Sequence, residues 1–142
     1  MSAAPTEQSC RIVLIEDNPA DVYLIRTALD EHGMLYDLQV VSDGRQCVSL
    51  IDCYRQGGTP KIPDLFVLDL NLPTHDGTAI LRMIKETPAL SKVPVAILTS
   101  SESPKEKAAA EALGADRFIR KPIELEEFLR IGGIFKTMCA EG

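Results

Sequence analysis

Apolar and polar positions alternate along this chain in a repeating order: a short apolar run, a polar turn, then apolar residues at helical spacing. Arg11 to Ile15, Leu35 to Val41, Leu65 to Leu68, Val93 to Leu98 and Arg117 to Arg120 read as five strands. The run Leu65 to Leu68 is apolar throughout, as expected of a strand covered on both faces. Helices fill the intervals. Val22, Leu24, Ile25, Ala28 and Leu29 share a face in the first, which Asn18-Pro19 opens and His32-Gly33 closes. Ser42-Asp43-Gly44 turns into the second, with Cys47, Val48, Leu50 and Ile51 inward. Gln56 to Pro63 is a breaker-rich loop. Asp76-Gly77 opens the third, with Ala79, Ile80, Met83 and Ile84 on one face and Thr87-Pro88 ending it. The fourth, Pro104 to Leu113, is alanine-rich and is expected to pack shallowly. The last runs from about Ile123 towards Met138, with Leu125, Phe128, Leu129, Ile131, Ile134 and Phe135. Gly132-Gly133 inside it costs about 1 kcal/mol per glycine relative to alanine, so a bend is expected there.

Five strands alternating with five helices imply an α/β fold: a parallel sheet with helices on both faces. Right-handed crossovers leave few topologies. The flavodoxin-like, doubly wound order 2-1-3-4-5 is the one chosen. Residues 1–9 are expected to be a disordered lead, 10–139 a single domain and 140–142 a tail.

Charge narrows the function classes. The chain carries a net charge of −6 and no tryptophan, and offers no basic footprint for nucleic acid. No stretch reaches the roughly 18 apolar residues of a membrane span, and the first ten residues lack a signal pattern. A cytoplasmic protein is expected. Cys10, Cys47, Cys53 and Cys139 form no CxxC pair and stand at no zinc spacing with His32 or His75. They read as free thiols, with Cys47 and Cys53 buried in the second helix.

The polar residues gather at strand ends. The first strand delivers Glu16 and Asp17, the third Asp69, the fourth Thr99 and the fifth Lys121. Ligands bind at the carboxyl edge of such sheets, so these side chains are expected to converge. Crowded carboxylates call for a cation, and hard oxygen ligands suit Mg²⁺. A carboxylate is a competent nucleophile towards phosphorus, and a lysine and a hydroxyl can hold the transferred group. The constellation points to phosphoryl transfer onto Asp69, the acid of the central strand.

With Glu16-Asp17, Asp69-Leu70-Asn71-Leu72-Pro73, Asp76-Gly77, Thr99 and Lys121-Pro122 in this order and spacing, residues Arg11 to Met138 resemble the receiver domain of two-component response regulators. The resemblance implies Asp69 as phosphoacceptor. It implies Mg²⁺ held by Asp17, Asp69 and the Asn71 carbonyl, with Glu16 nearby, and the phosphoryl group held by Thr99 and Lys121. Thr99 and Phe118 would form the switch. The implied partners are a sensor histidine kinase and an unknown downstream protein reached by contact or onward phosphotransfer. Glu16 to Asp21, the long loop before the third strand, and Asp69 to Pro73 further resemble small stand-alone regulators of phytochrome-type kinases. Few residues follow the last helix, so no output domain is expected, and the protein is not expected to be an enzyme in the usual sense.

Two rivals have distinct signatures. A Mg²⁺-dependent phosphatase with an aspartyl nucleophile would place a second acid two residues on, where this chain has Asn71. A degenerate receiver that only binds partners would lack the acceptor or the lysine. A dinucleotide-binding domain would show GxGxxG after the first strand, which is absent. Ile131, Ile134 and Phe135 exceed what one covered face needs, so a homodimer through the fourth helix, fifth strand and fifth helix is expected. His75 reads as a solvated loop residue and His32 as a helix-end residue.

Overall fold

The computed structural model describes residues 9–57, 61–73 and 75–141. Residues 1–8 of the expected lead, 58–60 of the long loop and Gly142 lie outside the described residues. Five parallel strands form one sheet in the order β2-β1-β3-β4-β5: β1 (Cys10–Ile15), β2 (Tyr36–Val41), β3 (Leu65–Leu68), β4 (Val95–Thr99) and β5 (Arg117–Arg120). The helices are α1 (Pro19–Glu31), α2 (Gly44–Arg55), α3 (Gly77–Glu86), α4 (Pro104–Ala112) and α5 (Leu125–Glu141). This is the flavodoxin-like arrangement that the alternation predicts.

Side chains divide by strand parity. Val13, Ile15, Phe66, Leu68, Val95 and Ile97 point to one face, where they meet Cys47, Ile51 and Tyr54 of α2 and Ile80, Leu81 and Ile84 of α3. Ile12, Leu14, Leu65, Val67, Ala96 and Leu98 point to the other, against Ile25 and Leu29 of α1 and Phe128, Ile131 and Phe135 of α5. Ala110 is the only buried residue of α4, as its composition predicts. Ala79, expected on the buried face of α3, is exposed; Leu81 takes its place.

Polar caps start four helices at the carboxyl edge of the sheet. Asn18 accepts from Ala20 N–H at 2.9 Å, Asp43 from Gln46 N–H at 2.8 Å, Asp76 from Thr78 N–H at 3.0 Å and Ser103 from Glu106 N–H at 3.3 Å. Each cap satisfies an N–H the helix cannot. The result points four partly positive helix ends towards the edge where the acids gather. Gly77 is required at the start of α3, because a Cβ there would stand 2.4 Å from Leu70 Cα.

Three expectations about the ends of the fold are corrected. Helix α5 runs unbroken through Gly132-Gly133 to Glu141, past the Met138 end expected for it. Gly132 serves packing instead: a Cβ there would meet the Ala28 carbonyl oxygen at 2.2 Å, so this glycine lets α5 close on α1. His32 belongs to this seam, its Nε2 3.2 Å from the Leu129 carbonyl. Ile131 and Phe135 are 3% and 0% exposed; they complete the core, and the apolar surplus proposed for a dimer face is not there. Only Ile134 of the three is partly buried. The cysteines also differ from expectation. Cys10 and Cys139 are joined in a disulfide, Cα atoms 6.1 Å apart, because β1 begins where α5 ends. Cys47 is buried, and burial pushes its thiol up to about 12; Cys53 is exposed. Among the described residues, no helix is long and apolar enough to cross a membrane.

Candidate functional site

The site is assembled by strand ends. Strands β1 and β3 pair in register through Ile15 and Leu68, which sets the residues that follow, Glu16 and Asp69, side by side. The Asp69 N–H donates to the Ile15 carbonyl at 3.0 Å. Thr99 closes β4, and Lys121 N–H donates to its carbonyl at 2.8 Å. The expected convergence of Glu16, Asp17, Asp69, Thr99 and Lys121 is therefore built from sheet hydrogen bonds.

Lys121 is the hub. Its ammonium lies 2.7 Å from Asp21 Oδ2, 2.8 Å from Glu16 Oε1 and 2.9 Å from Asp69 Oδ2. Burial alone would lower its pKa, but hydrogen bonds to Asp21, Glu16 and Asp69 outweigh that and raise it. It stays an ammonium through neutral pH. Glu16 is 2% exposed. Burial pushes its carboxyl up to about 7, with the Asp69 charge adding to the rise; Lys121 and the Asn18 N–H hold it back. One lysine does not fully compensate these acids.

Asp69 is oriented at both oxygens. Oδ2 accepts from Lys121, and Oδ1 accepts the Asn71 N–H at 3.0 Å. The Asn71 side chain donates to Thr99 Oγ1 at 3.3 Å, and Ser101 N–H donates to the same oxygen at 3.2 Å. Thr99 is fully buried. With both contacts received, its hydroxyl proton is available to an oxygen arriving beside Asp69.

Carboxylate oxygens of Glu16, Asp17 and Asp69 lie within 4.8 Å of one another. Asp17 is exposed, while the other two are buried. A cluster of hard oxygens with one open side fits a small divalent cation that keeps several waters. Three carboxylates gathered this closely favour that fit. An open depression of about 730 Å³ leads to this side, lined by Asp17, Leu70, Asn71, Leu72, Pro73, His75, Asp76 and Glu106. His75 is exposed, with its Cβ packed where a Cβ on Gly44 would stand.

Phe118 pairs in register with Ile97 and is partly buried against the α2/α3 core. Asp21 is the residue the sequence reading missed. It sits in the first turn of α1, where an acid already has a local reason to be. Its proximity to Lys121 across 100 positions has no sequence signal.

Comparison with known proteins gives this geometry a family. The model of the response regulator receiver domain matches residues 12–131. The chain belongs to the response regulator receiver family. The receiver is 29% identical over 120 residues to response regulator Rcp1 of Synechocystis, covering 84% of this chain and 82% of that one. It is 33% identical over 128 residues to the transcriptional regulatory protein TrcR of Mycobacterium tuberculosis, covering 89% of this chain but only 45% of TrcR. Among solved structures, the phosphorylated cyanobacterial phytochrome response regulator RcpA superposes with a TM-score of 0.83 at 30% identity, covering 95% of this chain and 97% of that one. The Mn²⁺-bound form of Rcp1 superposes at 0.79 with 27% identity, over 90% and 92%. The narrower likeness to phytochrome-associated regulators is thus found in both sequence and structure.

Proposed function

We propose that this receiver accepts a phosphoryl group on Asp69 from a sensor histidine kinase, in a Mg²⁺-dependent reaction. The observation that carries the reading is the setting of the Asp69 carboxylate, hydrogen-bonded by Lys121 and by the Asn71 N–H within the acid cluster. An Asp69 oxygen attacks phosphorus. The bond from phosphorus to the donor breaks, and its electron pair leaves with the donor's nitrogen or oxygen. Lys121 and the Thr99 hydroxyl then face the new phosphoryl oxygens. Glu16, Asp17, Asp69 and Asn71 would hold Mg²⁺, which supplies neutralisation of the phosphoryl charge. Lys121, kept protonated by its carboxylates, acts as a cation and not as a base.

Asn71 argues against the phosphatase rival. Its amide donates to Thr99 and cannot serve as the general acid that a second aspartate would provide. The presence of both Asp69 and Lys121 argues against a degenerate receiver. We infer a phosphoacceptor, not a classical enzyme, working in the cytoplasm. Likeness to RcpA and Rcp1 supports a phytochrome-type kinase as the partner.

The signal would leave through Thr99 and Phe118. A phosphoryl group on Asp69 competes with Asn71 for Thr99, and a shift of Thr99 alters the packing of the next strand, where Phe118 sits. The face made of α4, β5 and α5 would meet a downstream protein or a second copy. Ile134 of α5, with Lys92, Arg117 and Arg130, lines a groove of about 670 Å³ beside the start of β5.

The deciding experiment is acetyl phosphate with Mg²⁺, read by intact-protein mass spectrometry. One phosphoryl group is expected on the wild type and none on Asp69→Asn. Undiminished labelling of the variant would overturn the assignment.

A further inference from the structure

The Cys10–Cys139 disulfide has no part in phosphoryl transfer. It lies at the far end of β1 from Glu16 and Asp17, on the α1/α5 side of the sheet. We propose that it is a redox modification site, opened by a dithiol reductant, that sets how firmly the last turns of α5 are held to the sheet. The proposal goes beyond the phosphoacceptor reading. It gains sense from a cytoplasmic location, because a disulfide in a reducing compartment is more often redox-responsive than structural.

Placement supports a tie that can open. Cys10 is 8% exposed, whereas Cys139 is half-buried near the end of α5. The bridge is thus less buried on its Cys139 side. The buried core residues of α5 end at Met138, one position before the bridge, and the helix is otherwise pinned near here by the Lys136 ammonium donating to the His32 carbonyl at 3.0 Å. The bridge is thus the last strong anchor of the helix. It also closes a loop with a sequence separation of 129, nearly the whole domain, and long loops restrict the unfolded chain most. No internal thiol competes for it: Cys47 is buried in the opposite core, and Cys53 lies on α2.

The chemistry is ordinary exchange. One thiolate of the reductant attacks Cys139 Sγ, the S–S bond breaks, and Cys10 leaves as a thiolate that takes up a proton. The reductant's second thiolate attacks the mixed disulfide and releases Cys139. Two electrons pass to the protein, and the reductant becomes a disulfide.

Alkylation counts and melting test this on the full chain. Air-oxidised protein treated with N-ethylmaleimide should take one label when native, on Cys53. It should take two when unfolded without reductant, and four when unfolded after reduction by dithiothreitol. Reduction should lower Tm by on the order of 10 °C and speed amide exchange in residues 134–141 while leaving β1, β3 and β4 protected. The double variant Cys10→Ser, Cys139→Ser should melt with the reduced wild type and ignore dithiothreitol. Four labels on unfolded, unreduced protein would overturn the proposal, as would a Tm and an exchange pattern unmoved by reduction. None of these readouts involves Asp69, so they stand or fall apart from the phosphoacceptor reading.

Discussion

Gly132→Ala should destabilise this protein, against the usual sign of that change inside a helix. In an unconstrained helix interior, alanine gains about 1 kcal/mol over glycine. At position 132 the new Cβ would stand 2.2 Å from the Ala28 carbonyl oxygen, 2.6 Å from His32 Cδ2 and 2.7 Å from the Ala28 carbonyl carbon. Ordinary contact begins at 3.4 Å. Two of the three atoms are backbone and cannot rotate away, so α1 and α5 must part along their seam. Such overpacking costs about 1–3 kcal/mol, and a backbone clash belongs at the upper end. Subtracting the propensity gain leaves a net loss of about 2 kcal/mol, a fall in Tm of roughly 6–8 °C at this size. Gly133→Ala is the control. Its Cβ would meet only the His32 ring, at 3.1 Å and beyond, and a side chain can turn. That variant should be neutral or gain up to about 1 kcal/mol. Urea unfolding of the two variants and the wild type, with equal m-values, measures both. A Gly132→Ala protein as stable as wild type, or one indistinguishable from Gly133→Ala, would refute the seam as described.

Three further outcomes follow from the site. Asp17→Asn should weaken Mg²⁺ or Mn²⁺ binding at least about tenfold, because it removes a charged ligand; titration calorimetry reads this, and melting should barely change, since Asp17 is exposed. Lys121→Ala leaves buried Glu16 and Asp69 without their cation and should cost about 3 kcal/mol, partly restored by Mg²⁺; a melting curve in chelator identical to wild type would contradict this. Asp21→Asn should leave metal affinity within about twofold, since Asp21 is outside the acid cluster, yet lengthen the life of the phosphoryl group by freeing Lys121 to pair with it. An unchanged decay rate by mass spectrometry would remove Asp21 from the site.

The legible part of this protein is what period and chain order specify. Leu65 to Leu68 reads as an internal strand, apolar throughout, and the alternation with helices makes the sheet parallel. Once it is parallel, whatever ends a strand lies on one edge, so Asp69, Thr99 and Lys121 could be placed together without seeing a contact. The illegible part lies along α1 and α5. Gly132 and Gly133 looked like a bend because helix propensity is local, whereas the atoms that demand glycine at 132 belong to Ala28 and His32, roughly a hundred positions earlier. Ile131 and Phe135 looked surplus because nothing in the sequence says how closely α1 approaches. Cys10 and Cys139 looked free because their pairing depends on where the chain ends meet in space.

Charge around Lys121 was hidden for the same reason, and it bears on why a metal is needed at all. Read in sequence, the lysine is a phosphate-holding cation opposite three acids. In the fold it is already in contact with three carboxylates, Glu16, Asp21 and Asp69, while Asp17 stands beside them. Four acids then share one ammonium; burial, with the Asp69 charge adding to it, pushes the Glu16 carboxyl up to about 7. Converting the Asp69 carboxylate to an acyl phosphate would make the site more negative by about one charge. Lys121 can turn towards the phosphoryl group only by giving up a carboxylate, so it cannot offset that increase without exposing another buried charge. A second cation must enter with the phosphoryl group, and the side of the cluster open to it is the one Asp17 occupies. On the phosphoacceptor reading, metal dependence is thus set by the charge count of the site, with Asp21 fixing how much of Lys121 is left to give.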